Sequence, residues 1–437
     1  MNKLLIKKIA FFSLVSVFLI VAPFLILDAQ GYGFDFKKRE FVKLGGISIK
    51  SIIPDVNVFI NNEYKNKTAP FSKDLLIQKL IPEEYNIRVE KENYHSWSKT
   101  LRVEGQKVTK AENIYLFPEN NPINQYKDNI NNFFLSKNKQ NIVYLTNNQE
   151  IIYNNSTILK ETESKKYFSS IEDIKFFPDL KNILIKGKNL QNKTTYYYLS
   201  LDTLILNNLN FLESANNFYL KENSIVYQNK NNIIEYSLST KKSPVLRTSV
   251  DVFAMENDTI YSVENNILIK IDNKKETILS EKEITIIDYS LLITSGKIFA
   301  QDASSLYLFN ENKKEFEFFL KTKDISYDVL PDKIIFNTGS ELWLLLLKDF
   351  ETPFFKKSGS LIFLSRFSSE IKNLAWFNDD YFFYSINKNV FVSEIDNRDN
   401  INTFQLSPLP IEKIWFNKKI LYVLSDGKMY NSNEFNP

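Results

Sequence analysis

Ile371-Lys372-Asn373-Leu374-Ala375-Trp376-Phe377, followed by Tyr381 to Ser385 and then Val390 to Glu394, is the stretch that decides the fold, because its order of runs returns elsewhere. It stands again as Ile411-Glu412-Lys413-Ile414-Trp415-Phe416 with Ile420 to Leu424 and Lys428 to Asn431, and as Ile171 to Phe177 with Asn182 to Lys186 and Thr195 to Ser200. In all three the leading run is apolar at its first, fourth and sixth positions. Fainter leading runs begin near Asn131, Asn216, Asp251, Ile287 and Ile325. These starts across residues 131–437 are spaced by roughly 40 residues, the period of a four-stranded β-propeller blade. The fourth strand is weakest in each copy, as at Phe316 to Leu320 or Asn402 to Leu406, which suits an outermost edge. Eight blades are expected, or seven if two faint copies between Asn216 and Leu320 merge. The last copy ends without a fourth strand, so Ile123 to Lys127 is expected to supply it from the other end of the chain.

At the amino terminus, Ile9 to Leu27 is apolar without a charge. At ~1.5 Å per residue it reaches about 28 Å, close to a bilayer's hydrocarbon thickness. Lys3, Lys7 and Lys8 precede it as a positive flank, and Pro23 lies near its far end, where a lost backbone bond is tolerable. Residues 1–28 are therefore read as a cytoplasmic tail and single transmembrane helix, with the bulk of the chain extracytoplasmic. A cleaved signal peptide is the rival, but Leu27 and Asp28 precede Ala29 where small residues would be wanted. Residues 29–44, with Gly31-Tyr32-Gly33-Phe34-Asp35-Phe36 and Lys37-Lys38-Arg39, read as a membrane-surface segment with aromatics at the interface and cations near headgroups.

Residues 45–117 carry short alternating runs, Ile47 to Lys50, Val56 to Ile60, Tyr85 to Glu90, Thr100 to Val103 and Glu112 to Phe117, separated by Asn61-Asn62, Pro82 and Gly105. Period two buries one face of a strand and leaves the other wet, so the segment is expected to be a small β-sandwich. Residues 118–130, with Asn120, Asn121 and Pro122, read as a polar linker to a propeller over residues 131–437.

The small segment resembles the PEGA domain of prokaryotic envelope proteins. The residues concerned are Pro54-Asp55 before Val58-Phe59-Ile60-Asn61, Lys67-Thr68-Ala69-Pro70, Leu80-Ile81-Pro82 before Tyr85 to Val89, and Lys91-Glu92-Asn93-Tyr94 before Trp97. Val56-Asn57 stand where that family has Gly-Ala, and Glu84 and Asn93 replace two turn glycines. The resemblance implies adhesion, scaffolding or envelope binding and no catalytic residue. Likewise Phe177-Pro178-Asp179, Leu330-Pro331-Asp332 and Phe377-Asn378-Asp379 resemble the turn after the first strand in TolB-type and WD40-like propellers, which implies a fold and no ligand.

Composition narrows the chemistry. There is no cysteine and one histidine, His95, so disulfides, thiolate metal sites and histidine clusters are ruled out. The net charge of +3, from 55 basic and 52 acidic residues, is scattered, which gives no nucleic-acid footprint. His95 is expected to be a satisfied or exposed surface residue. Asp379-Asp380, Glu172-Asp173 and Glu83-Glu84 are neighbours on strands and point to opposite faces, which argues against an acid-base pair. No catalytic, cofactor-binding or metal-binding residue is named, no cofactor is expected, and the chain is not expected to be an enzyme. The leading expectation is a membrane-anchored scaffold of a prokaryotic cell envelope that presents a propeller to a protein or glycan partner. The alternative is a propeller hydrolase or lyase acting on wall polysaccharide through Asp and Glu converging at the channel.

Overall fold

The computed structural model describes residues 3–435 apart from 274, 281, 352, 407 and 408. The outermost residues of the first and last segments, 1–2 and 436–437, lie outside that set. Among the described residues the protein is all-β save for an amino-terminal helix, Lys3–Ala29, a short helix Glu161–Tyr167 and one 3-10 turn. Residues 7–29 of the long helix are apolar enough to cross a bilayer or to act as a signal sequence, and none of that stretch is buried by protein.

Beyond the helix comes a hairpin of Tyr32–Asp35 with Glu40–Lys43. The small module then forms two sheets. One joins Asp74–Leu80, Gly45–Ser51 and Val108–Ile114; the other joins Glu63–Lys67, Asn57–Ile60, Glu84–Glu90 and Trp97–Arg102. Ile47, Ile49, Val58, Ile87, Val89 and Leu101 fill the core. Glu63–Lys67 and Asp74–Leu80 are strands that alternation did not flag. The first is exposed throughout and the second is nowhere fully buried, so neither carries a strong apolar signal. Asn93 takes the left-handed backbone of a turn, at φ +65°, whereas Glu84 sits in a strand and needs no such backbone.

The rest of the chain folds into eight four-stranded antiparallel sheets in a propeller-like succession, seven of them built from consecutive strands. The first runs from Ile130 to Leu159, the second from Ser170 to Asn208, the third from Asn217 to Arg247 and the fourth from Val252 to Ile278. The fifth covers Ser290 to Lys321, the sixth Ser326 to Arg366 and the seventh Ile371 to Gln405. The eighth takes Lys413–Asn417, Ile420–Ser425 and Lys428–Ser432 from the chain's end, and its outer strand is Ile123–Lys127. That strand pairs antiparallel with the last one, Ile123 opposite Ser432. The stretch 118–130, read as a linker, therefore holds a working strand.

Few glycines are needed because asparagine and lysine take the turns. Asn61-Asn62, Asn154-Asn155, Asn265-Asn266, Asn387-Lys388 and Lys418-Lys419 all have positive φ at both residues, and each links two strands directly, as Glu264 opposite Ile267 shows. Two successive positive φ values make the tight turn whose twist matches a hairpin, and asparagine tolerates that backbone best after glycine.

The candidate binding face

In a meander sheet the link between first and second strands and the link between third and fourth emerge at the same end. Here those links make one face. The three proline- or asparagine-bearing turns lie on it and are locked locally. Asp179 accepts the Lys181 N–H at 3.0 Å, and Asn378 Oδ1 accepts the N–H groups of Asp380 and Tyr381 at 2.9 and 2.8 Å.

The small module occupies this face over the seventh and eighth sheets. Its edge strand Trp97–Arg102 would expose unpaired amides. Instead Asn402 Oδ1 accepts from Ser98 N at 3.2 Å and Asp399 accepts from Thr100 N at 2.6 Å. Lys99, fully buried, lies 2.8 Å from Glu394 and also donates to the Asp396 carbonyl at 2.7 Å. Glu394 further accepts from Trp97 Nε1 at 2.8 Å and from Asn402 N and Nδ2 at 2.9 and 2.7 Å. Burial pushes the Glu394 carboxyl up, and this ring of donors opposes it. Beside the ion pair, Phe117 packs on Phe377, Tyr381, Phe404 and Phe435, so one apolar core runs from the module into the seventh and eighth sheets.

His95 is part of this contact. Its ring stacks on Phe404 with centroids 5.1 Å apart, and Nε2 is enclosed without a hydrogen-bond partner among the described residues. The expectation of a satisfied or exposed surface histidine is corrected: the ring is half-buried against Phe404 of the seventh sheet and one of its nitrogens is enclosed without a partner.

The centre of the ring is tied across. Lys139 Nζ, from the first sheet, donates to both oxygens of Asp328 in the sixth at 2.6 Å. Asp328 also accepts the N–H groups of Val329 at 3.0 Å and Trp376 at 2.9 Å, while Trp415 Nε1 donates to the Lys139 carbonyl at 3.1 Å. Sheets one, six and seven thus meet at one carboxylate, and the eighth joins them through the Lys139 carbonyl. Nearby Lys413 Nζ donates to the Phe133 carbonyl at 2.6 Å, and burial pulls its pKa down, against the pull of Asp173.

Of the adjacent carboxylates, none forms a pair. Glu172 lies 3.9 Å from Lys186 and 3.8 Å from Lys188, Asp173 is 3.9 Å from Lys175, and Glu83 is held by Lys37 at 3.0 Å. Asp380 differs: burial, only partly offset by Lys333 and Asn113, pushes it up to about 6.

Over the first four sheets the same face is open. A cleft of about 810 Å³ has Phe176, Tyr219, Leu220 and Met255 in its walls, with Lys137 and Asp258 also lining it. Lys221, another lining residue, reaches Asp258 at 3.2 Å and Glu235 at 3.4 Å. Burial works against its charge, but these carboxylates hold its pKa above the ordinary value. No sequence signal marked the cleft, since its residues come from four separate copies of the repeat.

No family model matches any part of the chain, residues 45–117 included, and no curated protein matches it. Among solved structures it is similar to the computationally designed Ika8 protein, at 10% identity over 70% of this chain and 97% of that one, with a TM-score of 0.45. It is also similar to BamB from Moraxella catarrhalis, at 10% identity over 71% of this chain and 97% of that one, TM-score 0.39. PorZ of Porphyromonas gingivalis is a third, at 11% identity over 70% of this chain and 42% of that one, TM-score 0.37. The likeness is one of fold alone.

Proposed function

We propose that the protein is a single-pass, membrane-anchored docking protein of a prokaryotic cell envelope, with its amino terminus cytoplasmic and the rest outside. In this reading the eight sheets are the blades of one closed propeller, and the small module is a PEGA-like spacer locked onto one side of it. The observation that carries the proposal is the division of the loop face: over the seventh and eighth sheets it is sealed by the module through buried polar contacts, and over the first four it is left as an open cleft with apolar walls and charged edges. Such a surface suits a polypeptide partner, with apolar side chains for the pocket and charges for the rim. Because the cleft shares its face with the module that carries the helix, the partner is one held near the membrane. The polysaccharide hydrolase is the weaker reading, since the central carboxylate Asp328 is already saturated by a lysine and two backbone donors.

A photo-reactive residue in place of Leu220 in the cleft, compared with one in place of Ile278 on the outer edge of the fourth sheet, tests this in intact cells. A discrete, protease-sensitive adduct is expected from Leu220 and not from Ile278. No adduct, or the same adducts from both positions, would refute the cleft as the docking site.

A further inference from the structure

Between the helix and the small module, the hairpin Tyr32–Lys43 has two unlike faces. Its turn is built rather than loose. The buried Asp35 accepts the N–H groups of Lys37 at 2.8 Å and Lys38 at 3.2 Å, and Arg39, at φ +58°, donates its N–H to the Asp35 carbonyl at 2.7 Å. The hairpin is fastened to the module at its turn and at its base. Lys37 lies 3.0 Å from Glu83, Lys43 Nζ donates to Gln106 at 3.0 Å, and the Gln106 N–H donates to the Leu44 carbonyl at 2.8 Å. At Gly105 a β-carbon would stand 2.7 Å from the Lys43 carbonyl, so the two backbones touch. Asp28, at the end of the helix, is held by Lys79 of the module at 2.8 and 2.9 Å. The end of the helix, the hairpin and the base of the module are thus tied together.

The face that carries Phe34 and Phe41 is aromatic and partly exposed. Phe34 and Phe41 face each other across the strands with ring centroids 5.2 Å apart, and Phe36 meets Phe34 at 5.1 Å. Phe36 is 83% exposed. The ring of Phe41 in turn lies 5.9 Å from that of Phe24, inside the apolar helix. This last contact sets a depth. At ~1.5 Å per residue the 23 residues of the apolar stretch reach about 35 Å, a little more than a hydrocarbon core of ~30 Å. Phe24, about 8 Å from the helix end, then lies near the boundary of hydrocarbon and headgroups. Phe41, and through it Phe34 and Phe36, share that level, where aromatic rings are favoured. Lys38 and Arg39 at the tip are exposed and make no ion pair among the described residues.

We propose that this hairpin is a second membrane contact, which beds Phe34, Phe36 and Phe41 among lipid at the headgroup boundary and sets Lys38 and Arg39 against anionic headgroups. It rests on the reading of the helix as a retained anchor. It adds that the base of the module lies against the bilayer at a fixed angle, so the ectodomain does not swing about the helix end and the cleft keeps a set orientation.

Full-length protein reconstituted at one copy per nanodisc, in phosphatidylglycerol or phosphatidylcholine brominated near the carbonyl end of the acyl chains, tests it with two variants. Phe18→Trp, read in the same lipids brominated at the methyl end of the chains, reports the helix, and Phe36→Trp, read with the bromine near the carbonyl end, reports the hairpin, each above the four native tryptophans. Both added tryptophans are expected to lose at least half of their emission to the bromine. Adding Lys38→Glu and Arg39→Glu to Phe36→Trp should reduce that quenching in phosphatidylglycerol and leave it unchanged in phosphatidylcholine. Quenching of Phe18→Trp without quenching of Phe36→Trp leaves the anchor standing and overturns the hairpin proposal. That holds also where the Phe36→Trp emission is blue-shifted, because protein and not lipid then covers it. Failure of both overturns the anchor first and the hairpin proposal with it.

Discussion

At the scale of single residues, position relative to the second module matters more than residue type. Lys99 and Glu394 are both charged and both enclosed, a state that costs several kcal/mol unless every lone pair and proton is used. Here Trp97, Asn402 and two backbone carbonyls complete the set. Asp380, on the same side of the ring, lacks so full a shell. Its carboxyl is raised from 3.8 to about 6 by burial, with Asp379 and Asp332 adding to the rise and Lys333 and Asn113 opposing it. A carboxyl raised in the folded state holds a proton that the unfolded chain has given up. Its contribution is therefore greatest in acid and is lost as pH climbs from about 4 to about 6. Asp380→Asn should abolish that loss and leave the protein more stable at pH 7 by roughly 1–2 kcal/mol, with little difference at pH 4. Urea midpoints at both pH values check this, and parallel pH dependences for the two proteins would contradict it. The adjacent carboxylates were legible as unpaired from strand alternation alone, whereas the unusual one among them was not, because its burial comes from residues far away in sequence.

At the scale of elements, the outer strands are the soft parts. Leu206–Asn208, Val245–Arg247 and Thr403–Gln405 are three residues each, with one side open. Where such a strand is also the point of closure, its loss has a larger effect. Ile123–Lys127 joins the beginning of the sheet region to its end through four paired positions. Replacing these five residues with a glycine-serine segment of equal length should cost about 2–4 kcal/mol, the worth of a few backbone hydrogen bonds in an otherwise unpaired edge. An unchanged urea midpoint would show that this strand contributes nothing to closure. The need for it was readable in the sequence, since the last copy of the repeat ends one strand short. By contrast the exposed strand Glu63–Lys67 left no trace in the apolar pattern, and the helix Glu161–Tyr167 lies in a link between sheets where the repeat says nothing.

At the scale of the whole molecule, module and propeller-like region are not beads on a string. Their shared core and the contacts of Trp97 to Thr100 with Asp396 to Asn402 dock the small sandwich on the link between the third and fourth strands of the seventh sheet. The soluble part of the chain should therefore unfold in a single transition that includes both. Removing one partner of a buried pair, as in Lys99→Met, should lower that transition by about 3–5 kcal/mol because Glu394 is left charged and enclosed. Calorimetry that shows two separate transitions in the unaltered protein, or no change with Lys99→Met, would refute the coupling.

Period and alternation by themselves determined the membrane-length helix, the all-β character, the places where sheets begin and the strand that closes the eighth, because each of these follows from which residues must leave water within one short segment. Only the tertiary structure decided which part of the loop face is covered, that His95 stacks on Phe404, that Asp328 is shared by three sheets, and that Phe41 rests on Phe24. Those facts depend on residues from different elements, some of them hundreds of positions apart, arriving at one place, and no local pattern of polar and apolar residues records such a meeting.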